Sequence, residues 1–119
     1  MKKVLIADDS LFMRKVLKDL LTPRYQIVEA NSGPSALKQI EKERPDLVLL
    51  DIVMPEGEEA GVKALRTLRK SHPDLPVIII TAVGQNAVKQ TCQNLGVTDY
   101  IVKPFEDQQI RTVVERCLG

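Results

Sequence analysis

Within the stretch Asp46–Pro55, DLVLLDIVMP, four apolar residues follow one another without alternation. A strand with one wet face alternates apolar and polar side chains, so Leu47–Leu50 reads as a strand covered on both faces. The run stops at Asp51, and Pro55 denies any continuing ladder a backbone donor. A carboxylate at the carboxyl end of a buried strand either caps a loop or lies in the crevice where open parallel sheets bind ligands. What the other strands end in decides between these readings.

Lys3–Ala7 is a first strand centred on Val4-Leu5-Ile6, and it ends in Asp8-Asp9. Ser10 is placed to N-cap a helix whose apolar face is Phe12, Val16, Leu17, Leu20 and Leu21. Thr22-Pro23 stops it. Tyr25–Ala30 is a short second strand, and Asn31-Ser32-Gly33-Pro34 is a turn into a helix with Ala36, Leu37 and Ile40 inward. That helix ends before Pro45. After Leu47–Leu50 and an acidic loop, Glu56–Glu59, a third helix carries Val62, Leu65 and Leu68 toward Ser71-His72-Pro73. Pro76–Ile80 is a fourth strand ending at Thr81. A fourth helix presents Val88, Cys92 and Leu95, with Gly96 suited to its C′ position. Asp99–Val102 is a fifth strand ending at Lys103-Pro104-Phe105, and a last helix carries Ile110, Val113, Val114 and Cys117.

The strand–helix unit therefore recurs five times. This pattern calls for an α/β fold: a five-stranded parallel sheet with helices on both faces. A length of 119 residues predicts one domain over 1–119 with a single core. The 17 basic and 16 acidic residues leave a net charge of +1, which gives no support for nucleic-acid or membrane binding by bulk electrostatics. No apolar run approaches the ~20 residues of a membrane span, and Met1-Lys2-Lys3 with the few apolar residues after it is too short for a signal peptide. A cytoplasmic protein is expected. Cys92 and Cys117 make no disulfide framework, and their places on helical apolar stripes predict buried, reduced thiols.

In a parallel sheet all the strand ends named above share one edge. Asp8-Asp9, Asp51, Thr81 and Lys103 then converge, which loop capping alone does not explain. Three carboxylates there would repel by roughly 3 kcal/mol per pair at ~5 Å and an effective dielectric of ~20. Lys103 leaves the cluster near −2, so a proton is retained or a divalent cation is bound. The candidate ligands are all oxygens, which points to a hard ion, and Mg²⁺ suits a site that keeps waters and awaits a phosphate. A carboxylate at such a centre can act as nucleophile toward phosphorus, with metal and ammonium stabilising the transferring group.

The motifs IADDS at 6–10, LLDIVMP at 49–55, IITA at 79–82 and DYIVKPF at 99–105, in this order, make the chain resemble the receiver domain of two-component response regulators. Among these it is most similar to the stand-alone chemotaxis regulators of the CheY kind. The resemblance implies the strand order 2-1-3-4-5. It implies that Asp51 is the phosphoacceptor, supplied by a histidine kinase, and that Asp9 ligates Mg²⁺ directly while Asp8 acts largely through water. The Val53 carbonyl completes the metal set, and Asp51 itself contributes. Lys103 would contact the phosphoryl group, Thr81 would be the switch hydroxyl and Tyr100 the switch aromatic, and the Lys103-Pro104 bond would be cis. The implied output face is helix four, strand five and helix five, bordered by Lys89, Gln90, Gln93 and Asn94, with the flagellar motor switch or another effector as partner. The expected protein is a monomeric switch that modifies itself rather than a conventional enzyme.

Two departures accompany the likeness. Family members often follow Met-Pro with Met-Asp-Gly, whereas Met54-Pro55 here precedes Glu56-Gly57-Glu58-Glu59-Ala60-Gly61. Val53 and Val83 stand where polar side chains are common, and since apolar groups cannot orient water, slow loss of the phosphoryl group is expected. A phosphorelay intermediate or a receiver cut from a longer regulator are alternatives. An aspartate-nucleophile phosphatase would want an Asp-x-Asp pair, and position 53 is Val. A flavin carrier would want hydroxyls and glycines after strand one, where this chain has acids. By spacing alone Tyr100 is a half-buried strand aromatic, His72 a solvated loop residue, and Phe12 and Met13 core and rim.

Overall fold

The computed structural model describes residues 1–57 and 59–119. Its elements follow in the order β1 (Lys3–Ala7), α1 (Leu11–Leu21), β2 (Gln26–Ala30), α2 (Gly33–Glu43), β3 (Leu47–Leu50), α3 (Ala60–Ser71), β4 (Val77–Thr81), α4 (Asn86–Asn94), β5 (Asp99–Val102) and α5 (Asp107–Leu118). The five strands form one parallel sheet in the order β2-β1-β3-β4-β5.

The solid apolar runs serve two cores at once, because successive side chains leave a strand on opposite faces. Leu5 and Ala7 of β1, Val48 and Leu50 of β3, and Val77 and Ile79 of β4 pack with Ala36 and Ile40 of α2, Leu65 and Leu68 of α3, and Cys92 of α4. Their neighbours Val4, Ile6, Leu47, Leu49, Ile78 and Ile80 face the other way, onto Leu17 and Leu21 of α1 and Ile110, Val113 and Val114 of α5. Each large aliphatic side chain so buried contributes about 1.5–3 kcal/mol, which is why no polar residue interrupts the central strands.

The helix signals act locally as expected. The Ser10 hydroxyl accepts from the Met13 N–H at 3.2 Å, and the Ser32 hydroxyl from the Ser35 N–H at 3.1 Å. Gly96 follows the α4 cap with φ +75°, the left-handed conformation its position requires. The β2 strand starts one residue later than Tyr25, and β4 runs from Val77 to Thr81 rather than from Pro76 to Ile80. The Lys103-Pro104 bond is cis, as is Thr22-Pro23.

Three side-chain expectations need correction. Phe12 is not core: it is 74% exposed, beside Leu11 at 70%. Residue 12 lies one position off the stripe of Met13, Leu17, Leu20 and Leu21 that packs on the sheet. His72 is not simply solvated, because its Nε2 lies 2.8 Å from Glu41 Oε1 and ties the end of α3 to α2. Cys92 is buried, but Cys117 near the chain end is only partly covered.

Candidate functional site at the carboxyl edge of the sheet

The sheet register brings Asp8 and Asp51 side by side. Asp8 extends β1, its N–H donating to Ala30 O at 3.0 Å, and the Asp51 N–H donates to Ala7 O at 2.9 Å. Lys103 leaves β5 with its N–H donating to Thr81 O at 2.8 Å. Its side chain then spans the end of β4. The ammonium donates to Asp51 Oδ2 at 2.8 Å and to Asp8 Oδ2 at 2.9 Å. Each carboxylate holds its own turn with the other oxygen: Asp8 Oδ1 accepts from the Ser10 N–H at 2.9 Å, and Asp51 Oδ1 from the Val53 N–H at 3.0 Å.

These groups are sheltered: Asp8 is 2% exposed, Asp51 6% and Thr81 0%. Burial pushes the Asp8 carboxyl above the usual carboxylate range, and the Lys103 and Ser10 hydrogen bonds only partly oppose it. Burial pulls the Lys103 ammonium down, but the bonds and charges of Asp51 and Asp8 outweigh it and hold the group above an ordinary lysine. The cation is therefore secure, and it offsets one of the two buried carboxylates.

Asp9 is exposed, and among the described residues no three His, Cys, Asp or Glu side chains are gathered tightly enough to cage a metal. The acids predicted to crowd together are instead a buried pair closed on an ammonium, with the third acid at the rim. The donor set still suits a hard cation. A carboxylate offers about four acceptor directions, and the two bonds made by Asp51 leave the others open. Asp8, Asp9 and the Val53 carbonyl supply further oxygens, the ligand type that Mg²⁺ prefers.

Thr81 is buried at the end of β4, where its hydroxyl oxygen accepts from the Val83 N–H at 3.4 Å. Tyr100 lies inward at 8% exposure. Its hydroxyl donates to the Val83 carbonyl at 2.6 Å. Burial, aided by the Cys92 and Asp51 charges, pushes this phenol up to about 12. Thr81 and Tyr100 thus grip the same residue of the loop that leads into α4.

Sequence reasoning missed two supports. Arg14 donates through Nη1 to Asp8 O at 2.7 Å and through Nε to Glu29 at 3.1 Å, bracing the strand end from α1. Gly61 opens α3 against the turn after Asp51, with its N–H donating to Ile52 O at 2.8 Å. A β-carbon there would lie 2.5 Å from the carbonyl oxygens of Asp51 and Ile52, closer than real β-carbons come. A glycine in the first turn of a helix that needs no special φ was the available signal.

Residues 4–115 match the family model of the response regulator receiver domain. The chain belongs to the response regulator receiver family. This receiver is 38% identical to the chemotaxis protein CheY of Thermotoga maritima over 111 residues, which cover 92% of this chain and 91% of the relative. It is 39% identical to protein CcdB of Bacillus subtilis, covering 100% and 99%. Against the probable transcriptional regulator ycf27 of Cyanophora paradoxa it is 37% identical and spans 48% of the relative's length. Among solved structures, the receiver domain of NtrX from Brucella abortus superposes with a TM-score of 0.88 at 31% identity, covering 97% of each chain. A chain of the CheX–CheY–BeF3–Mg²⁺ complex from Borrelia burgdorferi superposes with a TM-score of 0.90 at 29% identity, covering 99% of this receiver and 90% of that chain. The likeness read from the four motifs and the strand order carried over with it are both upheld.

Proposed function

We propose that this receiver is a phosphorylation-activated switch in which Asp51 accepts a phosphoryl group from a phosphohistidine of a histidine kinase. The observation that carries the reading is the Lys103 ammonium seated between Asp51 and Asp8, 2.8 and 2.9 Å away. It is a positive charge seated beside the buried carboxylate at the end of β3. Asp8, Asp9, Asp51 and the Val53 carbonyl would hold Mg²⁺. When bound, the ion supplies positive charge that lets a phosphoryl group approach an acidic pocket.

An Asp51 oxygen forms the new bond to phosphorus as the bond to the donor imidazole breaks and its electron pair returns to the ring nitrogen. Lys103 shifts its donors from the carboxylates to a phosphoryl oxygen. Thr81 follows, because the Val83 N–H uses its oxygen as acceptor and leaves the hydroxyl hydrogen to donate. The exposed Leu11 and Phe12 at the mouth suit an apolar contact from the donor. Val53 and Val83 offer no group to orient a water, so the phosphoryl group persists. Output passes by protein contact through α4, β5 and α5, and the full-length matches to chemotaxis CheY favour a partner such as the flagellar motor switch. The half-length match to ycf27 favours an alternative context, the receiver of a longer regulator.

Beryllofluoride, a phosphoryl mimic, should bind only with Mg²⁺ present and should be lost in Asp51→Ala. Equal binding by the variant removes Asp51 from its role. No helix among the described residues is long and apolar enough to cross a membrane.

A further inference from the structure

The two ends of α4 are held by different means. At the carboxyl end, Arg69 of α3 reaches across and donates to the cap carbonyls, through Nε to Leu95 O at 2.7 Å and through Nη2 to Gly96 O at 2.9 Å. Its Nη1 donates to Leu75 O at 2.6 Å and His72 O at 3.1 Å, with a long contact to Pro73 O at 3.5 Å. One guanidinium thus joins α3, the segment entering β4 and the segment entering β5. The negative pole of a helix lies at its last carbonyls, and α4 has no basic residue in its own last turn. The cation α4 lacks is supplied by its neighbour, and only the planar fork of arginine can serve carbonyls on three sides. Among the described residues no carboxylate forms an ion pair with it, so these backbone oxygens are its partners.

The amino end has none of this. Gln85 makes no side-chain cap. Residues 84–87 are exposed, and the ties are the Tyr100 hydroxyl donating to Val83 O and the Thr81 hydroxyl accepting from the Val83 N–H. A groove of about 820 Å³ runs along α4 from Gln85 through Val88 to Thr91, where Val62 and Arg66 of α3 face it. No α4 residue beyond Thr91 lines it. Room to move therefore opens from the end that the switch residues hold, and the groove stops short of the cap carbonyls that Arg69 holds.

We propose that Arg69 is a positioning residue, the fixed pivot about which α4 swings at its amino end when Thr81 and Tyr100 respond to the group on Asp51. The swing rests on the phosphoacceptor reading; the clamp itself does not. The test is residue-resolved amide hydrogen exchange on the full chain, with and without beryllofluoride and Mg²⁺. Exchange at residues 83–89 should change on activation, while Leu95, Gly96 and Val97 change by less than about twofold. In Arg69→Gln those three amides should exchange about tenfold faster at rest and become responsive to beryllofluoride. Arg69→Lys, which keeps the charge but not the fork, should fail to restore them. Equal responses at both ends of α4 in the parent protein overturn the pivot, even if Arg69→Gln does not fold. Unchanged exchange at residues 95–97 in folded Arg69→Gln overturns the clamp. Should beryllofluoride not bind at all, the acceptor reading fails by itself, and the resting comparison still decides the clamp.

Discussion

The Tyr100 hydroxyl donates to the Val83 carbonyl across 2.6 Å, and this bond joins the strand next to Lys103 to the loop leading into α4. It needs a proton on the phenol, and burial keeps one there. The folded value of about 12 lies above the ordinary value of 10.0. The neutral phenol is thus favoured by folding. Its contribution is intact below about pH 10 and is lost as pH rises through about 12. In a Tyr25→Phe background, phenolate absorbance should stay near baseline at about pH 10.5, where a free tyrosine is mostly ionised. Half-maximal absorbance there in a folded protein would show that the hydroxyl is not held.

Removing the ammonium from the acid pair should be costly. Lys103→Met leaves two buried carboxylates facing each other without a counter-charge, and stability measured by denaturant with metal chelated should fall by about 3–5 kcal/mol. Adding millimolar-range Mg²⁺ should recover part of that loss by supplying the missing positive charge. A variant as stable as the parent in chelator would mean that the acids relax apart freely.

Val53 is expected to set how long the proposed modification lasts. Val53→Asn adds a side chain that can orient a water at the phosphoryl group, so autodephosphorylation, followed by loss of label from phosphorylated protein, should speed up by about tenfold or more. An unchanged or slower rate counts against a role for this position.

Gly61 should tolerate nothing larger. The β-carbon of Gly61→Ala meets the backbone of Asp51 and Ile52, which cannot rotate away as a side chain can. The variant should lose about 1–3 kcal/mol and bind beryllofluoride more weakly in its folded fraction. Gly57→Ala is the contrast, since a β-carbon there meets no atom of the described residues beyond its chain neighbours within 4 Å, and the expected cost is that of its φ of +126°. Equal behaviour of the two variants in the binding assay would detach Gly61 from the site.

Much of this molecule is written in local patterns. The runs Val4–Ile6 and Leu47–Leu50 and the helical spacing of residues such as Ala36 and Ile40 announce which faces are apolar. Because a parallel sheet puts every carboxyl end on one edge, Asp8, Asp51, Thr81 and Lys103 could be assigned to one place before any coordinate was known. Phe12 marks where such reasoning stops. Periodicity says that a helix has a greasy side, but not which of two adjacent apolar stripes, that of Phe12 or that of Met13, the sheet covers.

The sequence by itself determined the alternation of elements and the edge on which the chemistry stands, since both follow from interactions between residues a few positions apart. Only the tertiary structure decided that Lys103 closes on Asp51 and Asp8 while Asp9 stays at the rim, that Tyr100 turns inward to Val83, and that Arg69 serves carbonyls from His72 to Gly96. Those are choices among partners far apart in the chain. They are settled by which charges and donors burial leaves within reach, and no periodicity encodes that.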